Sequence, residues 1–262
     1  MIRVGIGGWV YAPWRGTFYP KGLPQARELE FASRRLTTIE INGTFYGTQK
    51  PASFARWAAE TPDDFVFSLK GPRYATHRSA LGEAGESIER FFGSGVTELK
   101  GKLGPVLWQF PPTKSFDAED FGAFLALLPR SVNGFVIRHA VEVRHPSFAA
   151  PEFIALMRKF SAAIALVDSD KHPLIADATA DFLYLRLQRT REAVETGYPE
   201  AALSDWAVRA RNWGEGGAPD NLPVITAPVG SQSGRDVFIY MISGAKVRAP
   251  AAAMALIERL DQ

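Results

Sequence analysis

The chain contains no cysteine. Disulfides, thiol nucleophiles and cysteine-ligated zinc are therefore excluded at the outset. It has only four histidines, little material for a centre that needs several imidazoles converging on one point. It also lacks an excess of either charge: 30 Lys and Arg against 28 Asp and Glu leave a formal net charge of +2. That balance is too even to mark a nucleic-acid binder by bulk electrostatics, so any basic recognition surface must be local. No apolar run approaches the roughly 20 residues of a membrane span. The N-terminal stretch MIRVGIGGWV carries one arginine and too short an apolar run for a signal peptide, so a cytoplasmic protein is expected. Internal repeats, low-complexity linkers and charge blocks are missing as well.

What is present is ordinary for a globular chain: 46% hydrophobic and 22% charged residues over 262 positions. Short apolar runs alternate with amphipathic ones along the whole length. Eight candidate strands fall at 3–9, 37–43, 65–71, 105–111, 140–146, 162–168, 182–188 and 236–243. Between them, segments at 25–36, 51–60, 117–128, 151–160, 200–213 and 250–260 place apolar residues at three- and four-residue spacing, as core-facing helices do. Pro51 and Pro151 sit where a helix tolerates proline, in its first turn. Eight strand-helix alternations with short connections predict a single (β/α)8 barrel of TIM type spanning residues 1–262, with a doubly wound sheet as the rival. The Gly-rich NWGEGGAPDN at 212–221 reads as an exposed loop.

Strands of a parallel barrel are buried on both faces and should be apolar on both. Here polar residues recur near the strand C-termini. Glu40 and Asn42 interleave with Ile39 and Ile41, and Ser68 and Lys70 with Phe67 and Leu69. Gln109 follows Trp108, Glu142 and Arg144 interleave with Val141 and Val143, Asp168 ends the sixth run, and Arg186 and Gln188 interleave with Leu185 and Leu187. If the apolar phase faces the helices, these side chains converge on the barrel mouth, where active sites of this architecture sit. Acids Glu40, Glu142 and Asp168 then stand opposite bases Lys70, Arg144 and Arg186, so that the charges nearly cancel.

The blocks GIGGWVYAPWRGTFYP (5–20), EINGTFYGTQKPASFARWAAETPDDFVFSLKGP (40–72), Thr76-His77, KLGPVLWQFPP (102–112), VEVRHPSF (141–148) and DFLYLRL (181–187) resemble, in order, those of the domain of unknown function 72 family, the YecE-like proteins. The resemblance implies a TIM-like barrel similar to the xylose isomerase and endonuclease IV group, without implying a reaction. The chain departs from the family pattern after the seventh-strand arginine, where Gln188 and Arg189 replace a histidine and a glycine. It departs again at YMISGAK (240–246), where an asparagine-rich strand end is expected.

Three functional readings follow from the residues themselves. In the first, Lys70, Arg144 and Arg186 clamp a phosphate-bearing or otherwise anionic ligand, a nucleotide or nucleic-acid strand among the candidates. Gln109, Asp168 and Asn42 would be further contacts, and the rings of Trp9, Tyr11 and Tyr46 would stack on the ligand. Glu40 or Glu142 would serve as general base and His77 as proton donor in a metal-independent hydrolysis. In the second, Glu40 and Glu142 are the carboxylate pair of a glycoside hydrolase. In the third, the cluster only orders the barrel of a non-catalytic binding or scaffold protein. Trp14, Phe18 and Phe45 are expected to be structural. Of the histidines, His77 and His145 are well placed, too few for a multi-metal hydrolase, so no metal and no cofactor is expected. GIGGW lacks the spacing of a dinucleotide site.

Overall fold

Each of the eight aliphatic runs forms a strand, because its alternating residues find apolar partners on one side and the barrel interior on the other. The computed structural model describes residues 1–218, 221–228 and 234–262. The strands are β1 (Ile2–Gly7), β2 (Thr38–Ile41), β3 (Val66–Lys70), β4 (Leu103–Gln109), β5 (His139–Glu142), β6 (Ala163–Asp168), β7 (Phe182–Leu187) and β8 (Asp236–Met241). They pair in parallel in chain order and close into a barrel, β1 lying between β2 and β8 with Gly5 opposite Thr38 and Val4 opposite Ile239. Closure there depends on Gly5: a Cβ at this position would stand 1.8 Å from the Thr38 carbonyl oxygen, a backbone atom that cannot turn aside. Pro105 has no N–H for the ladder. It is accommodated because the β3–β4 register shifts between Phe67 and Leu69.

The outward faces of the strands pack on the helices in one large apolar cluster that includes Ile39, Ile41, Phe67, Leu69, Val141, Leu185 and Leu187. Pro51 and Pro151 open the helices Pro51–Glu60 and Pro151–Lys159, and Asp117 caps Ala118–Leu127 by accepting the Asp120 N–H at 2.9 Å. The segment expected to be helical over 25–36 is a 3₁₀ turn, Gln25–Arg27, followed by a short helix, Glu28–Ser33. Several elements were absent from the sequence reading. A helix covers Gly85–Phe92, and a hairpin joins Ser131–Val132 to Phe135–Val136 through Asn133 and Gly134, both at positive φ. The stretch read as a loop over 212–221 begins inside the helix Glu200–Gly214, and its Pro219 and Asp220 lie outside the described residues. Among the described residues no helix is long and apolar enough to cross a membrane.

The barrel interior is layered. At its N-terminal end the rings of Phe182 and Phe238 lie 6.2 Å apart with the Arg138 guanidinium against both. One layer higher Tyr184 and Tyr240 stand 5.0 Å apart. Thr38 Oγ1 lies within hydrogen-bond distance of the Tyr240 hydroxyl at 2.9 Å and donates to the Val66 carbonyl at 2.7 Å, while Ser68 also bonds the Tyr240 hydroxyl. The charged layer lies above these.

Candidate functional site

The inward phase of β2, β3, β5 and β7 brings Glu40, Lys70, Glu142 and Arg186 to one level of the barrel, all buried. Arg186 is the centre of this layer. Its Nε donates to Glu40 Oε2 at 3.1 Å and its Nη2 to Glu40 Oε1 at 3.0 Å, the two-pronged geometry that suits a guanidinium to a carboxylate. Its Nη1 donates to Glu142 Oε2 and, at 3.4 Å, to Gln109 Oε1. Tyr184, one layer down, donates its hydroxyl to Glu40 Oε2 at 2.6 Å, and Arg144 Nε donates to Glu142 Oε1 at 2.7 Å. Burial alone would raise the Glu142 carboxyl, but Arg186 and Arg144 hold it below the usual carboxylate range. Burial alone would lower the Arg186 guanidinium, and Glu142 and Glu40 instead push it above its ordinary value. For Lys70 the opposing pull of Glu40 and Glu142 does not make up for burial. Burial, reinforced by the repulsion of Arg186, lowers its ammonium to about 8.

Above this layer lies a cavity of about 700 Å³. Its lining includes Lys70, Gln109, Arg144 and Arg186 on the floor, Asn42, Trp9, Tyr46 and Trp57 on one side, and Lys246 on the other, whereas Glu40 and Glu142 are sealed beneath. After β2 the chain turns at Asn42 into the short helix Gly43–Tyr46. That turn lays the Phe45 ring 3.9 Å from Lys70 Nζ and sends the Tyr46 ring into solvent. The opening residues of this segment are thus wall, floor cover and rim of one site.

Several sequence-predicted residues are spent on other partners or stand elsewhere. Arg186 was expected to grip a ligand, but its fork is occupied by Glu40 and Glu142. Asp168 was expected at the mouth. It accepts the Tyr198 hydroxyl at 3.0 Å and pairs with Arg189 Nε at 3.2 Å, outside the cavity lining. Ala163 and Ala165 show why: they hold the inward phase of β6, which leaves Asp168 on the other face. Arg189, one of the departures from the family pattern, is what claims it. The Tyr11 ring meets Trp14 edge-to-face at 5.2 Å and lies under Lys246 Nζ at 4.6 Å rather than lining the cavity. His77 is exposed beyond the lining, its Nδ1 within 3.1 Å of Thr76 Oγ1 and its ring 5.6 Å from Phe45; burial and Arg73 lower it. His145 Nδ1 bonds Ser147 Oγ at 2.7 Å in its own turn. His139 is structural: Nδ1 accepts from Trp108 Nε1, Nε2 bonds the Pro129 carbonyl, and burial lowers the ring to about 4.

Lys246 and Tyr184 were missed. Tyr184 was legible as the inward residue two before Arg186 in FLYLRL, whereas Lys246 reaches the mouth from the irregular segment after β8, where no periodicity points. Among the described residues no group of three or more His, Asp or Glu side chains gathers as a metal-ligand set.

A family model described as "Protein of unknown function DUF72" matches residues 3–262. The curated UPF0759 protein YunF of Bacillus subtilis (strain 168) is 26% identical over 174 residues, 64% of this chain; the match spans only 60% of YunF. A crystal structure of a DUF72 family protein from Thermotoga maritima MSB8 superposes with a TM-score of 0.76 at 22% identity, covering 100% of both chains. One from Enterococcus faecalis V583 gives 0.72 at 17% identity over 100% of this chain and 96% of that one. The structure of SacUVDE gives 0.58 at 10% identity over 98% and 99%. At these identities the solved structures share the fold alone.

Proposed function

The chain belongs to the DUF72 family, and from the charge layout of its barrel mouth we infer that it binds an anionic, phosphate-bearing ligand there. One observation carries this reading: the cations line the cavity and the carboxylates lie behind them. Three cations, Lys70, Arg144 and Arg186, face two carboxylates, Glu40 and Glu142, which leaves one net positive charge on the floor, and Lys246 adds a second at the wall. A partly desolvated concavity of one sign focuses its field on ligands of the other. Arg144 is the floor guanidinium with solvent access, its side chain 22% exposed and one edge spent on Glu142. It makes the direct contact, with Lys246 from the wall, and Arg186 holds the floor in shape. Gln109 supplies an amide and Asn42 a second. The rings of Trp9 and Tyr46 favour a ligand that carries its own ring, a nucleotide or the exposed end of a nucleic-acid strand.

The two-carboxylate glycosidase reading fares worse. A general acid must hold a proton near neutral pH, and Glu142 is held below the usual range by two guanidiniums. Glu40 has both oxygens engaged by Arg186 and Tyr184.

The test is thermal unfolding with matched pairs of phosphorylated and unphosphorylated nucleosides and sugars, and with short oligonucleotides. A ligand at 100 times its Kd stabilises by about 2.7 kcal/mol. The expected result is a shift for the phosphorylated member of a pair, shrinking as salt rises. Equal shifts within every pair, or none in any, would overturn the reading.

A further inference from the structure

Four of the five charged side chains in the floor cluster are paired to one another: Arg186 with Glu40 and Glu142, and Arg144 with Glu142. The fifth is Lys70. Among the described residues its Nζ makes no ion pair and no hydrogen bond, and lies instead over the Phe45 ring. Among the described residues Lys246 also lacks a carboxylate, but it is exposed at the wall, its ammonium against Tyr11 and Trp14. Lys70 is 6% exposed and stands at the end of β3 on the cavity floor. Its main chain is fixed on both sides, the carbonyl accepting from Thr44 Oγ1 at 2.7 Å and the next amide, of Gly71, donating to the Leu107 carbonyl at 2.8 Å. A buried amine repelled by two guanidiniums and paired to no carboxylate has its neutral form favoured relative to an exposed lysine, the more distant pull of Glu40 and Glu142 being too weak to offset burial.

We propose that Lys70 is a nucleophilic amine that forms an imine with an aldehyde or ketone whose anionic group is held by Arg144 at the same mouth. The substrate class is a phosphorylated or carboxylated carbonyl compound. The identity of the anchoring group rests on the anion-binding reading above; the nucleophile does not. The neutral Nζ lone pair forms a C–N bond to the carbonyl carbon as the C–O π pair moves to oxygen, which takes a proton. The nitrogen then gives up a proton, the hydroxyl leaves as water after a second protonation from solvent, the nitrogen lone pair closes the C=N bond, and the iminium N–H returns its proton to solvent. Amine and carbonyl become imine and water, with no oxidant or reductant. The open cavity admits the carbonyl and releases the water. With Lys70 at about 8, roughly one molecule in ten carries the neutral amine at pH 7, against about one in a few thousand for an ordinary lysine.

The probe is pyridoxal 5′-phosphate at substoichiometric concentration, reduced with cyanoborohydride, with the labelled lysine located by peptide mapping. Unphosphorylated pyridoxal is run in parallel. Label on Lys70 should exceed that on exposed Lys21 and Lys50 by about tenfold or more, given its larger neutral fraction. It should vanish in Lys70→Arg, which keeps the charge and the packing, and fall when inorganic phosphate competes. Selective label from pyridoxal equal to that from its phosphate would support the imine and count against the anion reading. Phosphate-dependent stabilisation with label spread evenly over the surface lysines would overturn the imine and leave the anion reading standing.

Discussion

Replacing Arg186 with methionine tests the architecture of the floor. Arg186 is 2% exposed, and its guanidinium pairs with two fully buried carboxylates. Without it, Glu40 keeps only the Tyr184 hydroxyl and Glu142 only Arg144. Removing one partner of a buried ionic network costs about 3–5 kcal/mol because the remaining charge is left in a poor solvent. At about 2–4 °C per kcal/mol for a chain of this size, the melting temperature should fall by roughly 6–20 °C. The sign of the pH dependence follows from Glu142. Its native pKa is depressed, so its contribution to stability is present above the unfolded carboxylate value and is lost as pH falls through the native one. In Arg186→Met the stranded carboxylates can instead protonate, so the deficit should be full near pH 7 and shrink on acidification. Urea unfolding of both proteins at about pH 7 and about pH 4 reads this. A variant within about 1 kcal/mol of the parent at neutral pH, or a deficit that does not change with pH, would mean that Arg186 does not hold the buried carboxylates.

Other perturbations separate binding from folding. Arg144→Ala should weaken a phosphorylated ligand by about tenfold or more, or about 1.4 kcal/mol, at a stability cost of only about 1–2 kcal/mol because Glu142 retains Arg186; titration calorimetry and unfolding on one preparation compare the two. Tyr46→Ala should leave stability within about 0.5 kcal/mol, since its ring is 67% exposed. It should weaken ring-bearing ligands by about 1–3 kcal/mol while leaving inorganic phosphate unaffected. Gly5→Ala should prevent folding, because the new Cβ meets the Thr38 carbonyl where β1 joins β2; circular dichroism and expression yield would show it.

The barrel was legible because each strand is an apolar run of the right length bounded by turn residues, and the polar interruptions kept the same phase in β2, β3, β5 and β7. That phase alone places Glu40, Lys70, Glu142 and Arg186 together. It did not reveal which of them would be consumed by the others. Whether Arg186 faces a ligand or two carboxylates depends on distances across the barrel, which one strand at a time cannot supply. Asp168 failed for a local reason, since the parity of β6 is set by Ala163 and Ala165, small residues that carry little directional signal. The hairpin at 131–136 had its mark in Asn133-Gly134, the dipeptide suited to two consecutive positive φ values. The flanking runs, however, are only two residues each. Lys246 comes from an irregular segment, beyond the reach of periodicity.

The most direct test of the anion-binding mouth is calorimetric titration of one nucleoside monophosphate and its parent nucleoside into the wild-type protein and the double variant Arg144→Ala/Lys246→Ala. The phosphate should improve wild-type affinity by about tenfold or more, the gain should shrink with salt, and it should disappear in the double variant while the fold survives. Equal affinity for the two ligands in the wild type, or a phosphate gain that survives loss of both cations, would contradict anion binding at this mouth.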